Sequence, residues 1–228
     1  MCGTAASYPD SLEIALKILQ PPSDTGVLYE TSRQQLRQIL RAQRRALTSV
    51  AQARAALHLR NLISQQHVFR KSQHIAFYIA NDGELDPSLL ARRALALGKH
   101  CYLPVLSKRT CSMKFARYRP GDKLWRNQFG IPEPLPRVPR IAGRALDLVF
   151  LPLVGFDRRG NRLGMGGGFY DRTFAYRRAF PKAAPMLVGL AHQCQQVAKL
   201  PAQDWDVPLD MVATDGGISQ VSVLHCSG

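Results

Sequence analysis

An unusually apolar run, Leu146-Asp-Leu-Val-Phe-Leu-Pro-Leu-Val154, is followed by Gly155-Phe-Asp-Arg-Arg-Gly-Asn161 and then by Arg162-Leu-Gly-Met-Gly-Gly-Gly-Phe-Tyr-Asp-Arg172. A run of that kind reads as a strand buried on both faces, which few folds other than a parallel sheet can accommodate. The glycines behind it, Gly164, Gly166, Gly167 and Gly168, allow positive φ at little steric cost. Successive backbone N–H groups can then turn toward one anion. The pattern predicts a helix over Phe169 to Arg178, which would bring a helix N-terminus close to that anion. Two nucleotide signatures do not fit: no Lys-Ser or Lys-Thr follows the last glycine, and Phe169 stands where a dinucleotide loop needs its third glycine. Glycines alone fit a ligand-free turn equally well. The flanking Arg162, Asp171 and Arg172 favour the anion site.

The rest of the chain alternates in the same way. From Ser32, an expected N-cap, Leu36, Ile39, Leu40 and Leu47 fall at helical spacing, while Arg33, Arg37 and Arg41 stack at i, i+4, i+8. A second helix is expected from Ser49 to Gln65 with Leu57, Leu62 and Ile63 inward. His74 to Ile79 reads as a strand, Asp86-Pro87 opens a helix to Leu97, and Gly98 ends it. Further strands are expected at His100 to Leu106, Met113 to Tyr118, Pro185 to Ala191 and Met211 to Thr214, with the proline-rich stretch from Ile131 to Pro139 as an extended connection. The expected fold is α/β: a mostly parallel sheet flanked by helices on both faces, a Rossmann-like three-layer sandwich. Ligands of such sheets bind beyond the carboxyl ends of strands, where the glycine loop falls. Residues 1–30, with three prolines and only Leu12 to Leu19 able to form a short helix, read as an extension; 31–228 read as one domain.

Composition narrows the partners. The 228 residues are 46% apolar and carry a net charge of +15. No stretch approaches the roughly 18 uncharged apolar residues of a spanning helix, and the N-terminus lacks a signal-peptide pattern, so no membrane association and a cytoplasmic location are expected. The five cysteines lack zinc spacing and read as free thiols, with Cys101 and Cys194 in the core. From Thr31 to Asn81 there is no acidic residue. A surface that basic attracts polyanions, whether a nucleotide, a polycarboxylate substrate or nucleic acid, and does not choose among them. His192 reads as a structural strand-end histidine.

Four segments converge on one family. The loop Gly160 to Arg172, the upstream Leu151-Pro-Leu-Val-Gly-Phe-Asp157, the early Arg33-Gln-Gln-Leu-Arg37, and the late Trp205-Asp-Val-Pro-Leu-Asp210 with Val212-Ala-Thr214 together resemble the 5-formyltetrahydrofolate cyclo-ligase (methenyltetrahydrofolate synthetase) family. The resemblance covers Ser32 to Gly217 in order and spacing. It implies a ligase of folate one-carbon metabolism that uses ATP and magnesium to close 5-formyltetrahydrofolate to 5,10-methenyltetrahydrofolate, with release of ADP and phosphate. By the same resemblance Arg33, Gln34, Gln35, Leu36 and Arg37 match a nucleotide-binding segment, with Arg33 where a lysine is usual. Arg162, Leu163, Gly164, Met165, Gly166, Gly167, Gly168, Phe169 and Tyr170 match the loop around the ATP phosphates, and Met165 to Phe169 also lie against the substrate. Arg162, Tyr170 and Asp171 are the implied catalytic residues, Asp171 and Asp206 the implied magnesium ligands, and Ile79 and Glu84 the implied folate contacts. Some relatives are basic at the positions of Met165 and Gly167, which leaves Arg162 or Arg172 to supply the compensating cation.

The implied substrate is a folate, polyglutamylated or not, with no specific nucleic acid and a monomer or weak homodimer as the assembly. Two other readings remain on the residues alone. The Arg33 to Lys71 helices suit RNA phosphates by charge, without any sequence-reading motif. An α/β sugar-phosphate isomerase or acyl transferase would share the topology and need no ATP.

Overall fold

Helix α1, Arg33–Arg45, opens on a reciprocal cap: Ser32 Oγ accepts from the Gln35 N–H at 3.2 Å and Gln35 Oε1 accepts from the Ser32 N–H at 2.9 Å. The computed structural model describes residues 32–107, 109–128 and 130–221; the expected extension 1–30, its short helix, Cys2 and Cys226 lie outside the described residues. Helix α2, Ser49–Ser64, starts at Thr48, whose hydroxyl accepts from the Ala51 N–H. Its inward stripe is Ala55, Ala56, Leu59 and Ile63 rather than the expected Leu57, which is 43% exposed. Leu57 falls two residues off the i, i+4 row and therefore points away from the core. A short α3, His67–Lys71, leads into the sheet.

Five parallel strands form the centre of an eight-stranded sheet, in the order β11-β10-β7-β1-β2. They are β1 (His74–Ala76), β2 (His100–Leu106), β7 (Leu148–Pro152), β10 (Met186–Leu190) and β11 (Met211–Thr214). β1 lies between β7 and β2, with Ile75 opposite both Cys101 and Leu148. Antiparallel edges finish the sheet: β12 (Gly217–Gln220) beside β11, and β3 (Met113–Arg117) with β6 (Arg140–Ile141) beyond β2. The α/β class and the mostly parallel sheet are as expected. β1 is shorter than the predicted His74 to Ile79, because after one further bond, Phe77 N–H to Tyr102 O at 2.9 Å, the chain leaves the sheet. Helix α4, Ser88–Ala96, begins after Pro87, with Asp86 accepting from the Ser88 N–H and hydroxyl, and ends at Gly98 with φ 76°.

On one face of the sheet Leu59 and Ile63 of α2 and Leu90 and Ala94 of α4 pack on Ile75, Leu103, Leu148, Phe150 and Val188. On the other, Val149, Leu151, Leu187 and Val212 meet Phe156, Phe174 and Leu209. Residues Leu148 to Leu151 are all at most 1% exposed, which explains their uninterrupted apolarity. α1 lies across the carboxyl end of the sheet, burying Leu36 and Leu40 against Val154, Leu163, Val197 and Leu200.

Three further differences concern the connections. The helix expected over Phe169 to Arg178 is α5, Phe169–Thr173, followed by a tighter turn over Ala175–Arg178. A helix that short contributes little dipole. The proline-rich connection contains a hairpin strand: β4 (Leu124–Arg126) pairs with β5 (Pro132–Pro134), Trp125 opposite Glu133. Cys101 is buried as expected, but Cys194 is only half-buried. Among the described residues no helix is long and apolar enough to cross a membrane.

Candidate active site

The glycine loop does not run directly from strand to helix. After β7 the chain forms a small hairpin of β8 (Gly155–Phe156) and β9 (Arg162–Leu163), and only then reaches Gly164 to Gly168 and α5. The hairpin forms because the Asp157 carboxylate gathers the N–H groups of Arg159 (2.9 Å) and Asn161 (3.1 Å) and the Asn161 side-chain amide (2.8 Å). Gly155 is glycine because a Cβ there would come within 2.5 Å of Leu40 Cδ1. In the loop Gly166 and Gly168 take positive φ, 98° and 62°, while Gly164 and Gly167 do not. Gly168 caps α5 from the left-handed region.

A cleft of about 840 Å³ opens over this loop. It gathers Arg33, Arg37, Ile79, Glu84, Arg162, Asp171, Asp206 and the run Gly164 to Tyr170 from four separate stretches of chain. The remaining residues of the two implied nucleotide segments stand elsewhere. Gln34 and Gln35 are exposed, the latter engaged in the α1 cap, and Leu36 and Leu163 are buried in the core beneath the cleft.

One end of the cleft is cationic. Arg162, 8% exposed, binds Asp171 Oδ1 through Nη2, whereas its buried Nη1 meets no hydrogen-bond partner among the described residues. Burial lowers the pKa of this guanidinium, and Asp171 and Asp206 raise it. An unpaired donor of this kind at the edge of a cleft is suited to an incoming anion. Arg37 donates Nε to Gly164 O at 2.8 Å, and Arg33 pairs with Asp206 at 2.8 Å while also reaching Pro201 O. Arg172 is turned differently: it holds the Gly167 and Cys111 carbonyls and lies over the Phe169 ring. Around the uncharged Met165 and Gly167, Arg172 therefore contacts Gly167 itself and Arg37 approaches Gly166, while Arg162 lines the same cleft.

The donor set also bears on a metal. Among the described residues no group of three or more His, Cys, Asp or Glu is arranged to hold one. Asp171 Oδ1 takes both Arg162 and the Val207 N–H, and its Oδ2 takes no hydrogen bond among the described residues. Asp206 is engaged by Arg33 and by the Gln203 N–H. Two carboxylates beside a phosphate site fit magnesium, which keeps waters and takes much of its coordination from the nucleotide. They do not form an all-protein cage.

Asp82 and Glu84 of the turn after β1 also line the cleft, with Arg44 behind them. Burial pushes the Glu84 carboxyl up to about 7, against the opposing pull of Arg44 and the Asn81 N–H that Oε2 accepts at 3.1 Å. Burial also raises the Tyr170 hydroxyl; the Glu84 charge adds to this and Arg162 opposes it, so Tyr170 responds to both groups. Several lining residues were not singled out in the sequence as site residues: Tyr78, Asp82, Arg44, Ile131, Pro132 and Glu133; Trp205, from the late motif, also lines the cleft. Helical spacing carries a signal for Arg44, seven residues after Arg37. For Glu133 only the hairpin reveals its place: it is 2% exposed and accepts from the Leu106 N–H and the Asn127 amide. His192 is 1% exposed and outside the cleft lining.

The sequence model of the 5-formyltetrahydrofolate cyclo-ligase family matches residues 29–215. The chain belongs to that family. The 5-formyltetrahydrofolate cyclo-ligase of Haemophilus influenzae is 44% identical over 183 residues, 78% of this chain and 94% of its own length. That of Escherichia coli K12 is 38% identical over 178 residues, 77% and 96% of the two chains. Among solved structures, the 5,10-methenyltetrahydrofolate synthetase of Aquifex aeolicus superposes with a TM-score of 0.70 at 26% identity, covering 86% of this chain and 99% of that one. The Mycoplasma pneumoniae protein, at 19% identity and a TM-score of 0.63, shares the fold. As a cyclo-ligase family member, the chain places its glycine loop and its half-buried acid in one cleft.

Proposed function

We propose that the protein closes 5-formyltetrahydrofolate to 5,10-methenyltetrahydrofolate at the expense of ATP. The observation that carries this reading is that a single cleft is lined by the glycine loop, by Arg162 with a donor unpaired among the described residues, and by the half-buried Glu84 carboxyl. Arg33, Arg37, Arg162 and the loop amides neutralise the triphosphate, and Asp171 with Asp206 hold magnesium, which screens phosphate charge when bound. Glu84, as a carboxylate, accepts from the adjacent N–H donors of the pterin ring, with Ile79 packed alongside.

The formyl oxygen is a poor leaving group. Its attack on the γ-phosphorus breaks the bond to ADP and yields a phosphorylated iminium. Folate N10 then adds to the same carbon, its proton departs, and the C–O bond breaks to release phosphate. Such chemistry needs positioning and charge neutralisation more than a protein nucleophile, which suits a site whose functional groups are guanidiniums, amides and carboxylates. The Tyr170 hydroxyl, kept protonated by burial, would donate a hydrogen bond to the transferring phosphoryl oxygens.

A mixture of the protein, 5-formyltetrahydrofolate and MgATP should develop the near-ultraviolet band of the methenyl product in step with ADP. A folded sample that forms neither refutes the reading. The proposed setting is cytoplasmic, with polyglutamylated folates among the substrates.

A further inference from the structure

The α1 arginines do not all serve the nucleotide end. Arg44 stands seven residues after Arg37 and eleven after Arg33, on the same side of the helix, yet it is fully buried at 0% exposure. A buried guanidinium is retained only where its donors are well placed, and three of them are. Nε donates to Asp82 O at 2.8 Å, Nη1 to Leu153 O at 3.0 Å and Nη2 to Asp82 Oδ2 at 2.9 Å, and Nη2 lies 3.7 Å from Glu84 Oε1.

The turn it grips needs outside support. Asp82 has φ 55°, a left-handed conformation disfavoured for any residue with a Cβ, and Gly83 follows at φ 75°. A Cβ on Gly83 would stand 3.2 Å from the Arg44 carbonyl oxygen, so the turn lies directly on α1. Leu153, the third anchor, immediately follows β7 and precedes the hairpin that carries the glycine loop.

We propose that Arg44 is a positioning residue for ring closure: its guanidinium fixes the Asn81–Glu84 turn to the end of β7 and keeps Glu84 in the cleft as an anion. The assignment rests on the reading of Glu84 as the folate acid. The groups facing Glu84 are Arg44 and Arg41 from α1, Asp82 and the Asn81 N–H from its own turn, Tyr78 from beyond β1 and Tyr170 from α5. His192, behind the turn, is influenced by Arg44 and by Gly83. Asp82 is also held by Arg41 at 2.7 Å and by Arg45, so it keeps two cations if Arg44 is lost. Glu84 then loses the strongest cation opposing its burial.

The test compares Arg44→Lys, Arg44→Met and Glu84→Gln with the unaltered enzyme, measuring KM for folate and for ATP from pH 5.5 to 9. Arg44→Lys keeps the charge but can reach only one of the three acceptors. It should raise folate KM roughly tenfold with ATP KM changed less than about twofold, and leave the acid limb in place. Arg44→Met should in addition move that limb up by about one pH unit, because the opposing cation is gone. If Arg44→Met does not fold, the KM split in Arg44→Lys decides. Folate KM unchanged in Arg44→Lys, or both KM values rising together, overturns the proposal. Unchanged folate KM in Glu84→Gln overturns the reading of Glu84, and with it that of Arg44; an impaired Glu84→Gln beside an unimpaired Arg44→Lys overturns Arg44 alone.

Discussion

Arg37 Nε and Gly164 O, 127 residues apart in the chain, meet at 2.8 Å and tie the first helix to the first glycine of the loop. The contact fastens a mobile type of backbone to a rigid element, and the same guanidinium stands beside Gly166.

Arg37→Ala should therefore affect nucleotide use before folate use. Losing a charged hydrogen bond of about 1.5 kcal/mol corresponds to roughly a tenfold rise in ATP KM. Folate KM should stay within about twofold, and steady-state kinetics with each substrate varied in turn checks this.

Asp171→Asn removes the charge that compensates the buried Arg162. Breaking such a pair from one side costs about 3 kcal/mol of folding stability, read by urea denaturation. ATP added without magnesium should restore more stability in this variant than in the unaltered protein, since phosphate then supplies the missing negative charge at Arg162. An equal ATP response in both proteins contradicts that arrangement.

The Glu84 carboxyl, raised from its usual 4.5 to about 7, has a pH dependence of definite sign. The folded state binds this proton more tightly than the unfolded chain, so stability is lost as pH climbs from about 4.5 to about 7, by up to about 3 kcal/mol. Glu84→Gln should be the more stable protein at pH 8 and lose that slope in denaturation curves. Folate affinity runs the other way and should fall as the pH drops below about 7.

Trp205 is 60% exposed on the cleft wall beside Asp206, and Trp125 is the second tryptophan of the chain. In a Trp125→Phe variant, ATP should change the remaining indole emission, and the change should saturate with ATP. A flat titration in an active variant would separate Trp205 from the nucleotide.

The apolar stretch Leu146 to Val154 announced a central strand, and Ser32 with Gln35 announced the start of α1, because in each case the determining interactions are local in sequence or periodic. Arg44 could not be read in the same way. Its spacing from Arg37 puts it on the same side of α1, but its acceptors are 38 and 109 residues away, so its burial depends on contacts remote in the chain. The five-residue α5 was obscured for a related reason: Phe174 leaves the helical conformation, with φ −109°, while its ring is buried against the sheet. Packing overrode a pattern that looked helical. Leu57 shows the reverse: an apolar residue remains outside because it falls off the row of Ala55, Leu59 and Ile63 that faces the sheet.

The hairpin between β7 and the glycine loop separates two kinds of constraint. Leu148 to Leu151 are locked into the sheet, whereas Met165 is 54% exposed and free of the core. On the proposed function, a substitution at Met165 would change the charge the loop presents to ATP without first being filtered for folding. Variation there is a route by which descendants of one scaffold could diverge in turnover.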